Sequence, residues 1–124
     1  MLNLLYAITL SVCCAGLPPL DKNGVEGAEI IFVGEVIEVT HNDRLEGEYH
    51  FKVLLAYKGV EPNEIIKVSS NLTSEGIHAR VGQEWLIIPH VMNGRELRTS
   101  ICSYSGNMTD HRPKKNARFL RRYF

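Results

Sequence analysis

The stretch that decides the fold runs from Tyr49 to Lys58 and reads Tyr-His-Phe-Lys-Val-Leu-Leu-Ala-Tyr-Lys. Every second position in it is aromatic or aliphatic, and these positions are Tyr49, Phe51, Val53, Leu55 and Tyr57. A period of two is typical of a β-strand that turns one face to a core and the other to solvent. We therefore predict a strand whose apolar face packs in the core, rather than one that stacks bases or sugars on its aromatic rings.

A second strand is predicted on the amino-terminal side of this one, at Ile30–Thr40, where β-branched residues are frequent. Both of its faces are apolar as far as Val33, and Gly34 then interrupts the pattern. This change indicates a bend or bulge that lets the two halves of one strand serve different parts of a barrel. The polar residues His41–Gly47 form the predicted turn between the two strands.

Three further strand-like runs follow along the chain, at Glu64–Ser70, Glu84–Val91 and Glu96–Cys102. The pair Asn93-Gly94 predicts a hairpin turn between the last two. Five short strands with turn-rich connections predict an all-β fold, for which the five-stranded OB-fold barrel is the natural candidate. After the strands, Thr109 or Asp110 is placed to cap a short C-terminal α-helix that runs to about residue 122.

Charge is unevenly distributed in this chain, although the formal net charge is zero. Residues 1–109 hold 8 Lys/Arg against 13 Asp/Glu, and residues 110–124 hold 6 against 1. An acidic body differs from the broad basic face of nucleic-acid binders, so we expect no nucleic acid as a partner. The basic C-terminal tail, with Arg118, Arg121 and Arg122, either folds back onto the body or contacts an anionic membrane surface.

The amino-terminal residues have the character of a targeting segment. Leu2–Val12 carries no charged side chain, has the length of a signal-peptide apolar region, and is too short to cross a bilayer as a helix. We predict a signal-like segment at residues 1–12, a single domain at residues 13–124, and a secreted, periplasmic or cell-surface protein. The alternative is that Leu2–Val12 forms the first strand or helix of the domain itself.

Three cysteines are typical of an exported protein with one disulfide bond and one odd thiol. Cys13 and Cys14 are adjacent and therefore poorly placed to bond each other. One of them, Cys14 in preference to Cys13, is expected to pair with Cys102 and to staple the start of the barrel to its end. The other is free, intermolecular or lipidated, and Cys13 is the candidate for lipid attachment.

The sequence contains none of the motifs that carry common catalytic or metal-binding chemistry. The histidines show neither His-x-His nor His-Glu-x-x-His spacing, and no Gly-x-Ser-x-Gly or phosphate-binding glycine loop is present. Nothing in the sequence supplies Cys13 with a histidine base. We therefore expect a protein that is not an enzyme and that needs neither a cofactor nor an intrinsic metal ion.

Five short segments, in order and at matching spacing over residues 13–105, resemble the netrin-like family that includes the tissue inhibitors of metalloproteinases (TIMP-like proteins) and their small bacterial relatives. The segments are Cys13-Cys14-Ala15-Gly16, Ala28–Val36, Tyr57-Lys58-Gly59, Val81–Leu86 and Leu97–Cys102. The resemblance implies a netrin-like OB-fold barrel and a protein-binding role. It also implies that Cys14 and Cys102 are the two ends of one family disulfide.

The resemblance further implies where a metalloprotease or other extracellular protein would be contacted. The contact segment would be Cys13, Cys14, Ala15, Gly16 and Leu17, flanked by the loops His41–Gly47, Asn71–His78 and Ser103–Gly106. The family's second disulfide is absent here, because no cysteine stands at Val12 or near Ser74–Gly76. We therefore expect this chain to share the family's fold and binding role, but not its inhibition of proteases through zinc chelation. The alternative function is that of a lipid-anchored or secreted structural module of the cell envelope, without a protease partner.

Overall fold

The computed structural model describes residues 18–100 and 102–124. These residues form a mainly β architecture, with one curled seven-stranded sheet and a C-terminal helix. The strands are β1 Ile31–His41, β2 Glu46–Lys58, β3 Ile65–Asn71, β4 Glu84–Ile87, β5 His90–Val91, β6 Leu97–Arg98 and β7 Gly106–Asn107. The helices are α1 Lys22–Gly27 and α2 His111–Tyr123.

The sheet has the strand order β5-β6-β3-β2-β1-β4-β7. β3 and β6 run parallel to each other, and all the other neighbouring strands are antiparallel. β4 and β5 are two halves of the single strand predicted at Glu84–Val91, and they are separated by Ile88 and Pro89. Proline has no N–H to donate to a ladder, so the strand breaks there. Its second half pairs with β6 at the opposite edge, and this gives the sheet its half-barrel curl.

The first part of β1, from Ile31 to Gly34, is buried on both faces, as its sequence predicts. Phe32 and Val36 lie in a core on the inside of the curled sheet, whereas Ile31 and Val33 lie in a second core on the outside. The pairing of β1 with β2 shifts register between Val33 and Gly34, which confirms the bulge predicted at the glycine. A Cβ on Gly34 would stand 2.9 Å from the Phe32 ring, so a larger residue would force the inner core to move.

The inner core is built from the concave face of the sheet and the loop that follows β3. Its ring pair Phe32 and Phe51 is edge-to-face, with centroids 6.0 Å apart. The buried members are Ile30, Phe32, Val36, Tyr49, Phe51, Val53, Val68, Ile77, Ala79, Trp85 and Ile87. Tyr49 and Phe51, predicted as core residues, are therefore confirmed as such.

The outer core joins the two helices to the convex face of β1 and β4. Its buried members are Leu20, Val25, Ile31, Val33, Leu86, Ile88 and Leu120. Asn116 of α2 is also buried, and its side-chain oxygen accepts a hydrogen bond from the Leu20 backbone N–H at 3.1 Å. α2 is thus anchored to the body by its buried side chains.

The predicted apolar face of β2 ends earlier than its sequence suggests. Leu55 is 54% exposed, and Tyr57 is only half-buried, against the outer core. The register against β1 skips Leu54 and later Tyr57, so each is an extra residue in a bulge. The bulge at Leu54 turns Ala56 toward the inner core and Leu55 away from it, which reverses the alternation.

The structure has seven strands where five were predicted, because the fourth run is split at Pro89 and the chain after it adds the short β7. Among the described residues of the fifth run, only Leu97–Arg98 is strand. The Asn-Gly turn is confirmed: Met92 N–H donates to Glu96 at 2.7 Å, and Gly94 has a φ of 75°. Within the described ranges, no helix has the length and apolarity needed to cross a membrane.

The C-terminal helix is also confirmed, with Asp110 at its N-cap position. The Asp110 side chain makes no capping hydrogen bond, so the predicted side-chain cap is absent. Four of the five histidines are exposed and His50 is half-buried.

Candidate functional site

Cys102 and three loops are the parts of the predicted contact surface that the structure describes. Cys102 is disulfide-bonded. The predicted segment Cys13–Leu17 lies outside the described residues, so the pairing of Cys14 with Cys102 and the lipidation of Cys13 stay predictions. The three loops predicted to flank that segment all lie within the described ranges; they are His41–Gly47, Asn71–His78 and Ser103–Gly106. Their contacts with the segment Cys13–Leu17 stay a prediction.

The turn between β1 and β2 is organised by Asn42. Its side-chain oxygen accepts hydrogen bonds from the backbone N–H groups of Arg44 at 2.9 Å and Glu46 at 3.1 Å. Such side-chain bonds to nearby backbone explain why asparagine is favoured in turns. At the tip, Leu45 has a left-handed φ of 59° and is 76% exposed. The turn therefore holds an apolar side chain out in solvent.

Glu46 begins β2 and is only 6% exposed, although it lies in what the sequence presents as a polar turn. Its carboxylate accepts hydrogen bonds from the Arg98 guanidinium and, at 3.0 Å, from the Asn42 side-chain amide. These bonds hold the pKa of Glu46 below its ordinary value, and the same pair raises the pKa of Arg98. The guanidinium also donates to the side-chain oxygen of Asn71 at 3.3 Å.

Arg98 thus joins the first loop to the second, because Asn71 ends β3 and opens the loop Asn71–His78. A second link is made by Ser70, whose hydroxyl donates to the Thr99 carbonyl at 2.8 Å and accepts from the Ile77 N–H at 2.9 Å. Ser70 and Thr99 are both buried, so these bonds satisfy groups that water does not reach. The second loop is therefore fixed to the chain that leads to Cys102.

The third loop is held by a buried group of hydroxyls. The Thr99 hydroxyl lies 2.9 Å from the hydroxyls of both Ser103 and Ser105. The Ser105 hydroxyl accepts the Ile88 N–H at 2.9 Å, which ties the loop to the end of β4. Arg112 at the start of α2 donates to the Ser103 carbonyl at 3.1 Å.

These bonds form two groups, which meet where Ser70 is followed by Asn71 and Arg98 by Thr99 in the chain. We call the two groups together the polar belt. The polar belt consists of Asn42, Glu46, Ser70, Asn71, Arg98, Thr99, Ser103 and Ser105. Its hydroxyls are bonded to backbone groups and to one another, so the belt serves to position loops. The sequence located the loops, but it did not reveal the ion pair that joins the first to the second.

Two cavities border the belt on either side of His90 and Met92. The larger, of about 620 Å³, lies between α1 and the segment containing Cys102, and Tyr104 lines it. The smaller, of about 210 Å³, is lined by Asn71 and Glu75 of the second loop and by Arg98 and its neighbours Thr99 and Ser100. Both are open to solvent, so the surface beside the belt is concave where side chains of a partner could enter.

Three exposed apolar side chains stand near the belt, namely Leu45, Leu72 and Met92. Exposed apolar residues on positioned loops are a feature of protein-binding surfaces, where they become buried against the partner. Over residues 18–100 and 102–124, no group of three or more His, Cys, Asp or Glu side chains is arranged to hold a metal ion.

Neither models of known protein families nor curated protein sequences match this chain. The netrin-like resemblance therefore depends on the sequence segments quoted above.

Proposed function

We propose that this protein is an exported, non-enzymatic protein-binding module that resembles the metalloproteinase inhibitors. Its binding surface would combine the segment Cys13–Leu17 with the three loops of the polar belt. The partner would be a metalloprotease or another extracellular protein whose surface accommodates the exposed Leu45 and Leu72. Inhibition by zinc chelation is not part of the proposal, because the second family disulfide has no counterpart in the sequence.

The proposed fold is the netrin-like variant of the OB-fold barrel. Three pairings support it: β1 with β2, β2 with β3, and the parallel pair β3 with β6. β4 and β5 can be counted as one interrupted strand, and β6 as the predicted fifth strand. The order β5-β6-β3-β2-β1-β4 then describes five strands in a ring, since it begins and ends with the same interrupted strand. β7 then adds a short extra strand at the edge of β4.

The observation that carries the functional proposal is the junction of Cys102 with the polar belt. Cys102 is disulfide-bonded and lies between Thr99 and Ser103, whose hydroxyls belong to the belt. With Cys14 as its partner, the disulfide would fix the amino-terminal segment beside loops that are already rigidly linked. Such preorganisation strengthens binding because less conformational freedom is lost in the complex.

A binding assay with the oxidised protein and a panel of zinc metalloproteases tests this proposal. Leu45→Asn is the informative variant, because asparagine tolerates the left-handed φ at this position and the change removes only the apolar contact. Loss of one anchoring side chain should weaken binding about tenfold. Val81→Asn, at an exposed turn position outside the belt, is the matched control and should bind as the parent does.

Two outcomes would contradict the proposal. One is that no protease of the panel binds, which would contradict a metalloprotease as the partner. The other is that the two variants bind alike. Peptide mass spectrometry of unreduced protein from its host would show where the amino terminus lies and whether Cys13 is modified. A Cys14–Cys102 peptide with a free amine on Cys13 agrees with the proposed surface, whereas a diacylglycerol mass favours a tethered envelope module.

A further inference from the structure

The exposed side of α2 carries five cations that form no ion pair within the part of the chain that the structure describes. They are Lys114, Lys115, Arg118, Arg121 and Arg122, all exposed, and none pairs with a carboxylate of the described residues. The helix is held to the body by other side chains, namely Pro113, Asn116 and Leu120. The tail therefore folds back onto the body, as one sequence-based alternative proposed, but its charges are not neutralised there.

Three of these cations form one wall of a groove of about 390 Å³ between α2 and β2, which we call the helix groove. Lys114, Arg118 and Arg121 are spaced i, i+4 and i+7, which places them on one face of the helix. The rest of the helix groove is apolar and consists of Leu55, Tyr57, Met108 and Ala117. A partly exposed apolar floor, with Leu55 as its exposed member, thus lies directly beside a row of positive charges.

Aromatic residues extend this apolar surface at the end of α2. The Tyr57 ring lies 6.1 Å from the Phe124 ring, and the Tyr123 ring lies 5.0 Å from Phe124. Phe124 is nevertheless 58% exposed. The aromatic cluster therefore presents a large open face beside Arg121 and Arg122.

We propose that the helix groove and this aromatic end bind the surface of an anionic phospholipid membrane. Basic side chains near a bilayer are attracted by anionic headgroups, and exposed aliphatic and aromatic side chains enter the region just below them. Here both features share one surface: Arg118 and Arg121 for headgroup phosphates, and Leu55 and Phe124 for the acyl boundary. A soluble acidic partner would satisfy the charges but would leave the apolar floor without an equally apolar counterpart.

The helix groove shares no residue with the polar belt, so this proposal does not depend on the protein-binding function. Membrane binding and partner binding can therefore succeed or fail separately. α2 begins beside Ser103 and ends beside Tyr57, so its basic face extends away from the loops over roughly 20 Å. A protein held through this face keeps the belt available to a partner.

Vesicle co-sedimentation of the full chain tests the proposal. The protein should bind phosphatidylcholine vesicles that contain phosphatidylglycerol, bind vesicles of pure phosphatidylcholine weakly, and be released as salt is raised. Each cation near the surface contributes about fivefold, so the double variant Arg118→Gln/Arg121→Gln should bind about 30-fold more weakly. The charge-matched control Arg80→Gln/Arg95→Gln changes exposed arginines elsewhere and should bind nearly as the parent does.

A second pair of variants tests the apolar contribution. Leu55→Ser should reduce binding several-fold at an intermediate salt concentration, where the electrostatic part is weakened and the parent still binds, while Ile65→Ser should not. Ile65 is the matched control because it is an aliphatic strand residue with 51% exposure. Equal loss in the two double arginine variants would overturn the proposal, as would binding to soluble polyglutamate without binding to vesicles. Circular dichroism melts confirm that each variant is folded.

Discussion

Replacing Glu46 by glutamine removes the one negative charge that is buried in the polar belt. Glutamine has nearly the same shape and can still accept the hydrogen bond from Asn42, so the change isolates the bond to Arg98. Glu46 is almost fully buried, but a quarter of the Arg98 side chain is exposed and keeps its bonds to Asn71 and Glu96. The loss should therefore resemble that of one charged hydrogen bond and not that of a stranded buried charge.

From this geometry we expect Glu46→Gln to lower the free energy of unfolding by about 2 kcal/mol, within the usual range for hydrogen bonds to charged groups. For a domain of this size that corresponds to a fall in Tm of roughly 6–8 °C. The matched control is Glu48→Gln, two residues further along β2, where the Glu48–Lys67 pair is 3.4 Å long and Lys67 is mostly exposed. Exposed pairs contribute about 0–1 kcal/mol, so the control should change little.

The sign of the pH dependence follows from the lowered pKa of Glu46. A carboxyl group with a lower pKa in the folded state stabilises the fold fully above its unfolded pKa, and this contribution is lost as the pH falls through the folded pKa. The difference in stability between parent and Glu46→Gln should thus be constant near neutral pH and shrink below about pH 4.5. Urea unfolding measured across this range tests it. Equal effects of the two variants, or a difference that does not change in acid, would refute the reasoning.

Two further predictions concern the backbone and the disulfide. Gly59→Ala should lower the free energy of unfolding by about 3 kcal/mol or more, because φ is +74° and the new Cβ would overlap a backbone carbonyl oxygen. Gly82 has a φ of +92° but open space around it, so Gly82→Ala should lower it by about 1–2 kcal/mol. Thermal melts measure both effects. Cys14→Ser and Cys102→Ser should each lower stability to urea by about 2–4 kcal/mol without reductant, while Cys13→Ser should not. A loss in the Cys13 and Cys102 variants, with the Cys14 variant unchanged, would contradict the predicted pairing.

The strands that build the inner core could be predicted from the sequence, because the pattern of their apolar side chains indicates which faces are buried. The alternation from Tyr49 to Val53 marks one buried face, and the doubly apolar run ending at Val33 marks two. Gly34 signals its own bulge, since a glycine inside a strand commonly marks one. Local pattern and final structure agree wherever burial is decided by the strand's own residues.

The bulge at Leu54 could not be predicted in this way. Leucine fits a regular strand, and the extra residue arises because the pairing with β1 shifts register at this point. The short β6 has the same origin: Leu97–Arg98 pairs in parallel with β3 only through Ser69. Register between distant strands depends on the whole sheet, so a window of single-strand sequence does not contain it.

The positions of the three loops at the site could be predicted from the sequence, but the contacts that join these loops could not. Glu46 and Arg98 are 52 residues apart, and a glutamate in a polar turn has no local feature that distinguishes a buried one from a solvated one. The close spacing of Thr99, Ser103 and Ser105 is the one signal that points to the hydroxyl network, although serines are equally common in exposed loops. Charge segregation in the tail was visible, but only the packing of α2 shows that its cations form no ion pair with the described residues.

The outer core imposes an order on folding. Ile31 and Val33 of β1 share the outer core with Leu120 of α2, and the Leu20 backbone is hydrogen-bonded to Asn116 across 96 residues of chain. During synthesis the outer core therefore stays incomplete until the chain has been made as far as residue 120. Contacts so distant in sequence close late and slowly, and uncovered apolar strands are prone to aggregate. The protein should therefore depend on chaperone protection throughout its synthesis and acquire protease resistance only after α2 has docked.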